Sequence, residues 1–351
     1  MAEINIDEHK LIYHPERVNE WVEKGDCYPI YIEIGPTNRC NHRCIFCCYD
    51  FFVNTNRGDI DTEVMLRTLK EIASKGTKSI MFAGDGEPLL HKDIGLFVQK
   101  AKEFGLDISI TTNGVLLTKE KIEQCLPSLS WIRFSIDSGS SENHAQIHGT
   151  NTSDFEKVMS NIKEAVDFKR KNDLNVTIGA QFLLIPQNVN EVVKLAARLK
   201  EIGADNLQIK PYSQNPNSIN KFAINYEDYA HLEPELEKFN SPNFKVYFRN
   251  RTMKRIEEGN TYPKCFGLSY FALIDAKGTV LPCSLFYSKP DFAYGNLYKN
   301  SFEEIWNSER RKKIMEMVNK DISKCRNGCR LDVINRYLNR LKNPQPHDNF
   351  I

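Results

Sequence analysis

Apolar residues recur along this chain at two periods, and the period switches repeatedly. Val18, Trp21 and Val22 form one face of a helix near Pro15–Glu23, with Pro15 in its first turn and Gly25 to stop it. Tyr31–Gly35 (YIEIG) then reads as a strand. Thr62–Ser74 returns to a helical period, with Met65, Leu66, Leu69, Ile72 and Ala73 on one side. Ser79–Ala83 (SIMFA) is a short apolar strand, and His91–Phe104 a helix with Ile94, Phe97, Val98 and Ala101 at helical spacing. Leu106–Thr111, Ile132–Ile136, Val176–Leu184 and Asn206–Lys210 read as further strands. Lys119–Leu126, Asp154–Lys171 and Val189–Ile202 read as the helices between them.

Strands that alternate with helices imply parallel pairing and right-handed crossovers. About six such units fit between residues 31 and 212, too few for a closed eight-fold barrel. The expectation is therefore an α/β fold, a partial (β/α)6 barrel or a doubly wound sheet. Either fold binds ligands at the carboxyl ends of its strands. The pattern breaks after Tyr212. Gln214–Ser218 (QNPNS) is turn chemistry, and Tyr226–Phe239 looks helical. Beyond Cys265 short strands, Tyr270–Ile274 and Thr279–Leu281, flank a turn at Asp275–Gly278 and predict a β-hairpin. The expected organisation is an N-terminal helical extension (1–29), a barrel (30–215), a linker with helical content (216–260), a small cysteine-rich α+β domain (261–340) and a tail (341–351).

Composition adds a compartment and a chemistry. Lys and Arg number 47 against 46 Asp and Glu, so no global field draws the chain to nucleic acid or to an anionic membrane. No segment approaches the roughly 18 consecutive apolar residues of a membrane helix. The start, MAEINIDEHK, offers no apolar stretch for a signal peptide, so the expected location is the cytoplasm. There disulfides are rare, yet the chain has 10 cysteines. Cys27, Cys40, Cys44, Cys47 and Cys48 bunch at one end and Cys265, Cys283, Cys325 and Cys329 at the other, with Cys125 alone between them. Two thiolate metal or iron–sulfur sites explain that bunching.

Cys40, Cys44 and Cys47 follow the first predicted strand in Cys-x3-Cys-x2-Cys spacing, with Phe46 before the third. Three thiolates on one loop hold three irons of a cubane and leave the fourth open. Zinc, with His42 or Cys48 as fourth ligand, also satisfies the spacing. The loop resembles the signature of the radical S-adenosylmethionine superfamily, Cys-x3-Cys-x-aromatic-Cys, which that family places after strand one of a partial barrel. The resemblance spans roughly residues 30–335. It implies a [4Fe–4S] cluster at Cys40, Cys44 and Cys47, with S-adenosylmethionine as cofactor.

Other strand ends gain meaning from this resemblance. Gly84-Asp85-Gly86-Glu87-Pro88 is similar to the family's Gly-Gly-Glu-Pro stretch, which meets the amino group of the cofactor; Asp85 departs from the usual small residue. The resemblance also places Asn113 of Thr111-Thr112-Asn113-Gly114, and Ser135 and Asp137 of the fourth strand, around the cofactor. Phe46 belongs to the same set. His144 and His148 follow, where relatives often carry a cation for the cofactor carboxylate. Gln181 and Lys210 sit on the fifth and sixth strands. Lys210, His148 and Asp137 are the candidate catalytic bases.

The second cysteine group resembles the twitch domain, a shortened SPASM domain, through the hairpin Asp275-Ala-Lys-Gly278-Thr-Val-Leu-Pro282-Cys283 and the stretch Phe292–Trp306. The resemblance implies a second, auxiliary [4Fe–4S] cluster on Cys265, Cys283, Cys325 and Cys329. The last two have three residues between them where two is the family habit. The implied enzyme cleaves S-adenosylmethionine reductively and abstracts hydrogen from a substrate, fed by a reductant such as flavodoxin or ferredoxin. A small molecule, with a sugar or aminocyclitol carbinol oxidised and the auxiliary cluster as electron acceptor, is the leading expectation. Modification of a ribosomal peptide or protein side chain is the alternative, weakened because only about 30 residues precede the first strand, where peptide maturases carry a docking domain. A non-enzymatic zinc module is the third reading.

Overall fold

Ile, Leu and Phe at every second position give each strand one face that only helices can cover. The structure, a computed structural model, describes residues 8–55 and 57–350. Residues 1–7 of the expected N-terminal extension and Ile351 of the expected tail lie outside the described residues. Helix α1 (Pro15–Lys24) leads into β1 (Tyr31–Ile34). Five crossovers follow. They run through α2 (Thr62–Ser74) to β2 (Ser79–Phe82), through α3 (Ile94–Glu103) to β3 (Asp107–Thr112), and through α4 (Lys119–Cys125) to β4 (Trp131–Ser135). A double crossover, α5 (Ser141–His148) and α6 (Ser153–Lys171), leads to β5 (Thr177–Leu184). Helix α7 (Val192–Ile202) leads to β6 (Asn206–Pro211). All six strands are parallel neighbours in chain order, as in a partial (β/α)6 barrel.

The register aligns the outward apolar positions: Ile32 lies opposite Ile80, Ile80 opposite Ile108, and Ile110 opposite Ile132. Each of these side chains is at most 1% exposed, and Met65, Leu69 and Ile72 of α2 and Phe97 and Val98 of α3 close over the same layer. A cavity-forming change there, such as Leu69→Ala, costs about 3 kcal/mol. The start of α2 is fixed by Asp61, whose carboxylate accepts from the backbone N–H of Glu63 and Val64. The inward positions are different. Glu33, Thr111, Arg133, Ser135, Gln181 and Lys210 alternate with the apolar layer, so polar chains line the lumen where a closed barrel packs aliphatic ones.

Two elements depart from the sequence expectation. The 216–260 stretch, expected as a helical linker, holds α8 (Leu232–Glu237) and α9 (Asn250–Glu258) but also β7 (Lys245–Phe248), which extends the sheet in parallel beyond β6. Helix α5 escaped notice because Ser141–His148 offers only Ala145 and Ile147 as apolar positions.

The C-terminal hairpin joins the same sheet. Strand β8 (Phe271–Ile274) pairs in parallel with β1 on the side away from β2, β9 (Thr279–Leu281) returns antiparallel, and β10 (Gly295–Asn296) completes the edge. Among the described residues the result is one ten-stranded sheet. Helices α10 (Phe302–Trp306), α11 (Glu309–Lys320) and α12 (Asp332–Lys342) follow. Buried Arg311 stacks over Trp306 at 3.6 Å and holds Asp26 at 2.5 Å, while Trp306 donates to the Cys27 carbonyl at 2.9 Å. These contacts tie the C-terminal helices to the segment before β1. Among the described residues no helix is long and apolar enough to cross a membrane.

Candidate functional site

The loop after β1 contains no regular element, so its shape comes from specific hydrogen bonds. Asn38 donates to the Thr55 carbonyl at 2.8 Å and accepts from the Gly58 N–H at 2.8 Å. The Cys40 N–H donates to Asn54 Oδ1 at 3.1 Å. Asn54 itself adopts a left-handed backbone, φ 61°, which asparagine tolerates. The far side of the loop docks on the C-terminus of α5: the N–H groups of Arg43 and Ile45 donate to the carbonyls of His148 and Ile147, each at 2.9 Å. Those are helix-end carbonyls with no partner inside the helix. Gly149 follows at φ 57°, and a Cβ there would lie 2.5 Å from the Arg43 carbonyl oxygen, so the close approach requires glycine.

The geometry brings Cys40, Cys44 and Cys47 together. Burial pushes the Cys44 thiol well above its ordinary range, and Cys47 and Cys40 push it further. Burial raises Cys40 to about 11, with the Glu87 carboxylate adding to the effect. Thiols that raise one another face a shared space, and a positively charged metal core is the chemistry that relieves them. The donor set therefore fits an iron–sulfur cluster with three protein ligands. Phe46 stands edge-on to His148 at 5.2 Å.

The strand ends close around this loop. Gly86 lies under it: a Cβ there would meet the Thr37 and Arg39 carbonyl oxygens at 2.4 and 2.5 Å. The Glu87 N–H donates to the Arg39 carbonyl at 2.8 Å. The Glu87 carboxylate accepts from Thr112 Oγ1 at 2.6 Å and from the N–H groups of Asn113 and Leu89 at 2.8 and 3.0 Å, while Asn113 donates to Asn41 Oδ1 at 2.8 Å. Gly84 sits at φ 105°, and Asp85 is 1% exposed. Burial and then Asp275 raise the Asp85 carboxyl well above its ordinary range.

Asp137 follows β4 at φ 55°, a region that non-glycine residues rarely occupy. Its Oδ1 accepts from the Leu183 N–H at 2.5 Å. Burial raises its carboxyl to about 7, against that hydrogen bond and the Lys210 charge. His148 is 1% exposed, with Nδ1 at 3.2 Å from Cys44 Sγ and Nε2 at 2.6 Å from the Ile136 carbonyl. Burial, then His144 and His42, hold it well below its ordinary pKa, so it is a neutral ring behind the cysteine loop. His144 packs on it at 4.2 Å and is likewise neutral. Neither histidine supplies a cation here.

Ser135, Gln181 and Lys210 form a chain across the inner face: Gln181 donates to Ser135 Oγ at 2.8 Å, and Lys210 donates to Gln181 Oε1 at 3.2 Å. Burial, then Arg249, Arg133 and Arg330, lower Lys210 to about 7 against the opposing Asp137. Arg133, Arg249, Arg330 and Tyr49 were not singled out from sequence. Arg133 shares the parity of Ser135 and Asp137 along β4, a signal that was available.

The second cysteine set comes from three segments: Cys265 before β8, Cys283 after β9, and Cys325 and Cys329 between α11 and α12. Burial raises Cys265 well above its range, with Cys329, Cys283 and Cys325 adding. Cys283 and Cys325 rise to about 12 and about 11, again through burial first and then, in both, Cys329. All four thiols thus converge, Cys325 included. Asn319 Oδ1 accepts from the Cys265 N–H at 2.7 Å, and Asn335 donates to its sulfur at 3.4 Å. Arg326 interacts electrostatically with Cys48 and Tyr49 of the first region and with Cys329 and Cys283 of the second. Cys27 and Cys125 are buried thiols within apolar clusters.

Residues 34–207 match the radical SAM superfamily, and residues 265–330 match the SPASM iron–sulfur cluster-binding domain. The AdoMet-dependent heme synthase of Methanosarcina barkeri is 26% identical over 301 residues, 80% of this chain and 83% of that protein. The tungsten-containing aldehyde ferredoxin oxidoreductase cofactor-modifying protein of Pyrococcus furiosus is 26% identical over 303 residues, 80% and 81% of the respective chains. Among solved structures, Streptococcus suis SuiB bound to S-adenosylmethionine superposes with a TM-score of 0.66 at 18% identity, covering 89% of this chain and 75% of that one.

Proposed function

The chain belongs to the radical SAM superfamily and carries a SPASM/twitch iron–sulfur domain at its C-terminus, and from that premise we propose that it oxidises a small molecule, favouring a carbinol carbon of a sugar or cyclitol. Its cofactors are S-adenosylmethionine and a [4Fe–4S] cluster, with an auxiliary iron–sulfur cluster in the C-terminal domain. Family membership removes the zinc-module reading. When bound, these groups supply a 5′-deoxyadenosyl radical that takes one hydrogen atom from a substrate C–H bond, and an acceptor for the electron left behind.

The chain's own residues are assigned as follows. Cys40, Cys44 and Cys47 hold the first cluster, and Cys265, Cys283, Cys325 and Cys329 the auxiliary one. The backbone around Gly84–Glu87, with Asn113 and Ser135, shapes the methionine and ribose pocket at the strand ends. Lys210 receives the hydroxyl proton as the carbinol becomes a carbonyl. Its amine is held near neutrality and points into the lumen, whereas His148 is walled off and Asp137 is tied to β5. A flavodoxin or ferredoxin supplies the first electron.

The convergence of three thiols on the loop after β1 carries the reading. The test is anaerobic reconstitution with iron and sulfide, then incubation with dithionite and S-adenosylmethionine. Formation of 5′-deoxyadenosine is expected, with about eight irons per chain. A reconstituted protein of that iron content that forms none would contradict it.

A further inference from the structure

The turn-rich segment after β6, Gln214–Ser218, has no part in the proposed chemistry, yet its contacts are the longest-range in the barrel. It leaves the carboxyl end of β6, the same end at which the cysteine loop leaves β1. Strands β1 and β6 stand five positions apart in the sheet, which is about 24 Å in a flat sheet at the usual strand spacing. Their loops are nevertheless hydrogen-bonded. Asn215 Nδ2 donates to the Cys48 carbonyl at 2.9 Å. The Asp50 carboxylate accepts from Ser218 Oγ at 2.8 Å and from the N–H groups of Ile219 and Asn220 at 3.0 and 2.8 Å. The segment also reaches the C-terminal domain. Asn217 Nδ2 donates to the Leu285 carbonyl at 2.9 Å, and Ser213 Oγ to the Asn327 carbonyl at 2.7 Å. Leu285 follows Cys283 by two residues, and Asn327 lies between Cys325 and Cys329. Residues 213–221 are thus a strap across the carboxyl mouth of the barrel, tied to the loops of both cysteine sets.

Two features make the strap a unit that can lift. It is bonded to itself: the Phe222 N–H donates to Gln214 Oε1 at 3.2 Å, Gln214 Nε2 to the Asn220 carbonyl at 3.1 Å, and Lys221 Nζ to the Pro216 carbonyl at 3.0 Å. Its ties to the neighbouring loops are polar, and its one large apolar side chain, Ile219, is 73% exposed. A segment that buries no large apolar group opens at little cost, because each hydrogen bond it releases is replaced by one to water. Three of its ties end on a single carboxylate, that of Asp50, which lies three residues beyond Cys47.

We infer that residues 213–221 gate the barrel mouth, with Asp50 as the latch. S-adenosylmethionine and substrate enter when the Asp50 bonds release, and reclosure covers the lumen. The inference goes beyond the carbinol reading above and needs only the cofactor that family membership establishes.

Stopped-flow measurement of S-adenosylmethionine association and dissociation, on the anaerobically reconstituted holoenzyme, tests the gate. Asp50→Ala should raise both rate constants about tenfold and leave Kd within about threefold of wild type, because a latch sets how often the mouth opens and not what the cofactor touches inside. Hydrogen–deuterium exchange should rise about tenfold across residues 213–222, with strands β1–β6 unchanged. Ser218→Ala removes one latch bond from outside the cysteine loop and should give the same pattern at about two- to threefold. Iron content and thermal unfolding of both variants should match wild type; where Asp50→Ala alone loses iron, Ser218→Ala decides. The inference is overturned if the rate constants stay unchanged, whether or not exchange rises. It is overturned if dissociation alone accelerates, which would make the strap a contact of the cofactor, or if the wild-type strap exchanges as fast as an unstructured chain. Loss of iron from both variants also overturns it, by making the segment part of the cluster scaffold.

Discussion

The two cysteine sites are built on opposite plans. The first draws three thiols from eight consecutive residues, Cys40 to Cys47, on a loop held open by asparagine side chains and the end of α5. The second gathers four thiols from three segments spread over 65 residues, and closes only when β8 and β9 have joined the sheet and α11 and α12 have packed. A local set with one ligand too few leaves a metal coordination position for a small molecule. A dispersed, complete set leaves none and doubles as a tertiary cross-link. The proposed ligand assignment thereby puts reactivity and stability at different ends of the chain.

The strongest way to break that comparison is to remove one thiol from each site. Cys47→Ala should lower 5′-deoxyadenosine formation at least about 10³-fold and lower iron content by about four per chain, while the melting temperature moves little. Cys283→Ala should also lose about four irons but retain 5′-deoxyadenosine formation. It should fall by several degrees in melting temperature, since a staple joining distant segments is gone. Equal losses of 5′-deoxyadenosine in both variants would erase the distinction.

Lys210→Met sharpens the comparison within the barrel. Oxidised product should fall about 10²-fold, with 5′-deoxyadenosine formation from S-adenosylmethionine retained. In the wild type the amine must be unprotonated to accept a proton, and burial with the Arg249, Arg133 and Arg330 charges lowers it to about 7 against Asp137. Product formation should therefore rise as pH increases through about 7, with a flat profile in Lys210→Met. The smallest effect concerns stability alone. Arg311→Met removes the guanidinium that pairs with Asp26 and stacks on Trp306; Asp26 is 37% exposed, so the cost is about 1–2 kcal/mol by urea unfolding, with iron content and turnover unchanged.

Much of this architecture was legible from the chain. The alternation of strand-like and helix-like segments announced parallel strands, and α2 spans the residues its period implied. Helix α5 was not legible, because its eight residues carry too few apolar positions for a periodic signal and its role is to offer carbonyls to the cysteine loop. The four residues of β7 were hidden within turn-rich sequence. Continuity of the hairpin with β1 is a tertiary fact with no local signature. The cysteine spacing pointed to the first donor set, because those ligands share one loop.

The most direct measurement is electron paramagnetic resonance of the singly reduced, reconstituted protein with S-adenosylmethionine labelled with 15N and 17O in its methionine part, read by electron–nuclear double resonance. Hyperfine coupling from the labelled amine and carboxylate to the Cys40–Cys44–Cys47 cluster is expected, retained in Cys283→Ala and lost in Cys47→Ala. A wild-type spectrum indifferent to the labelled cofactor, with every iron held by protein atoms, would contradict the account.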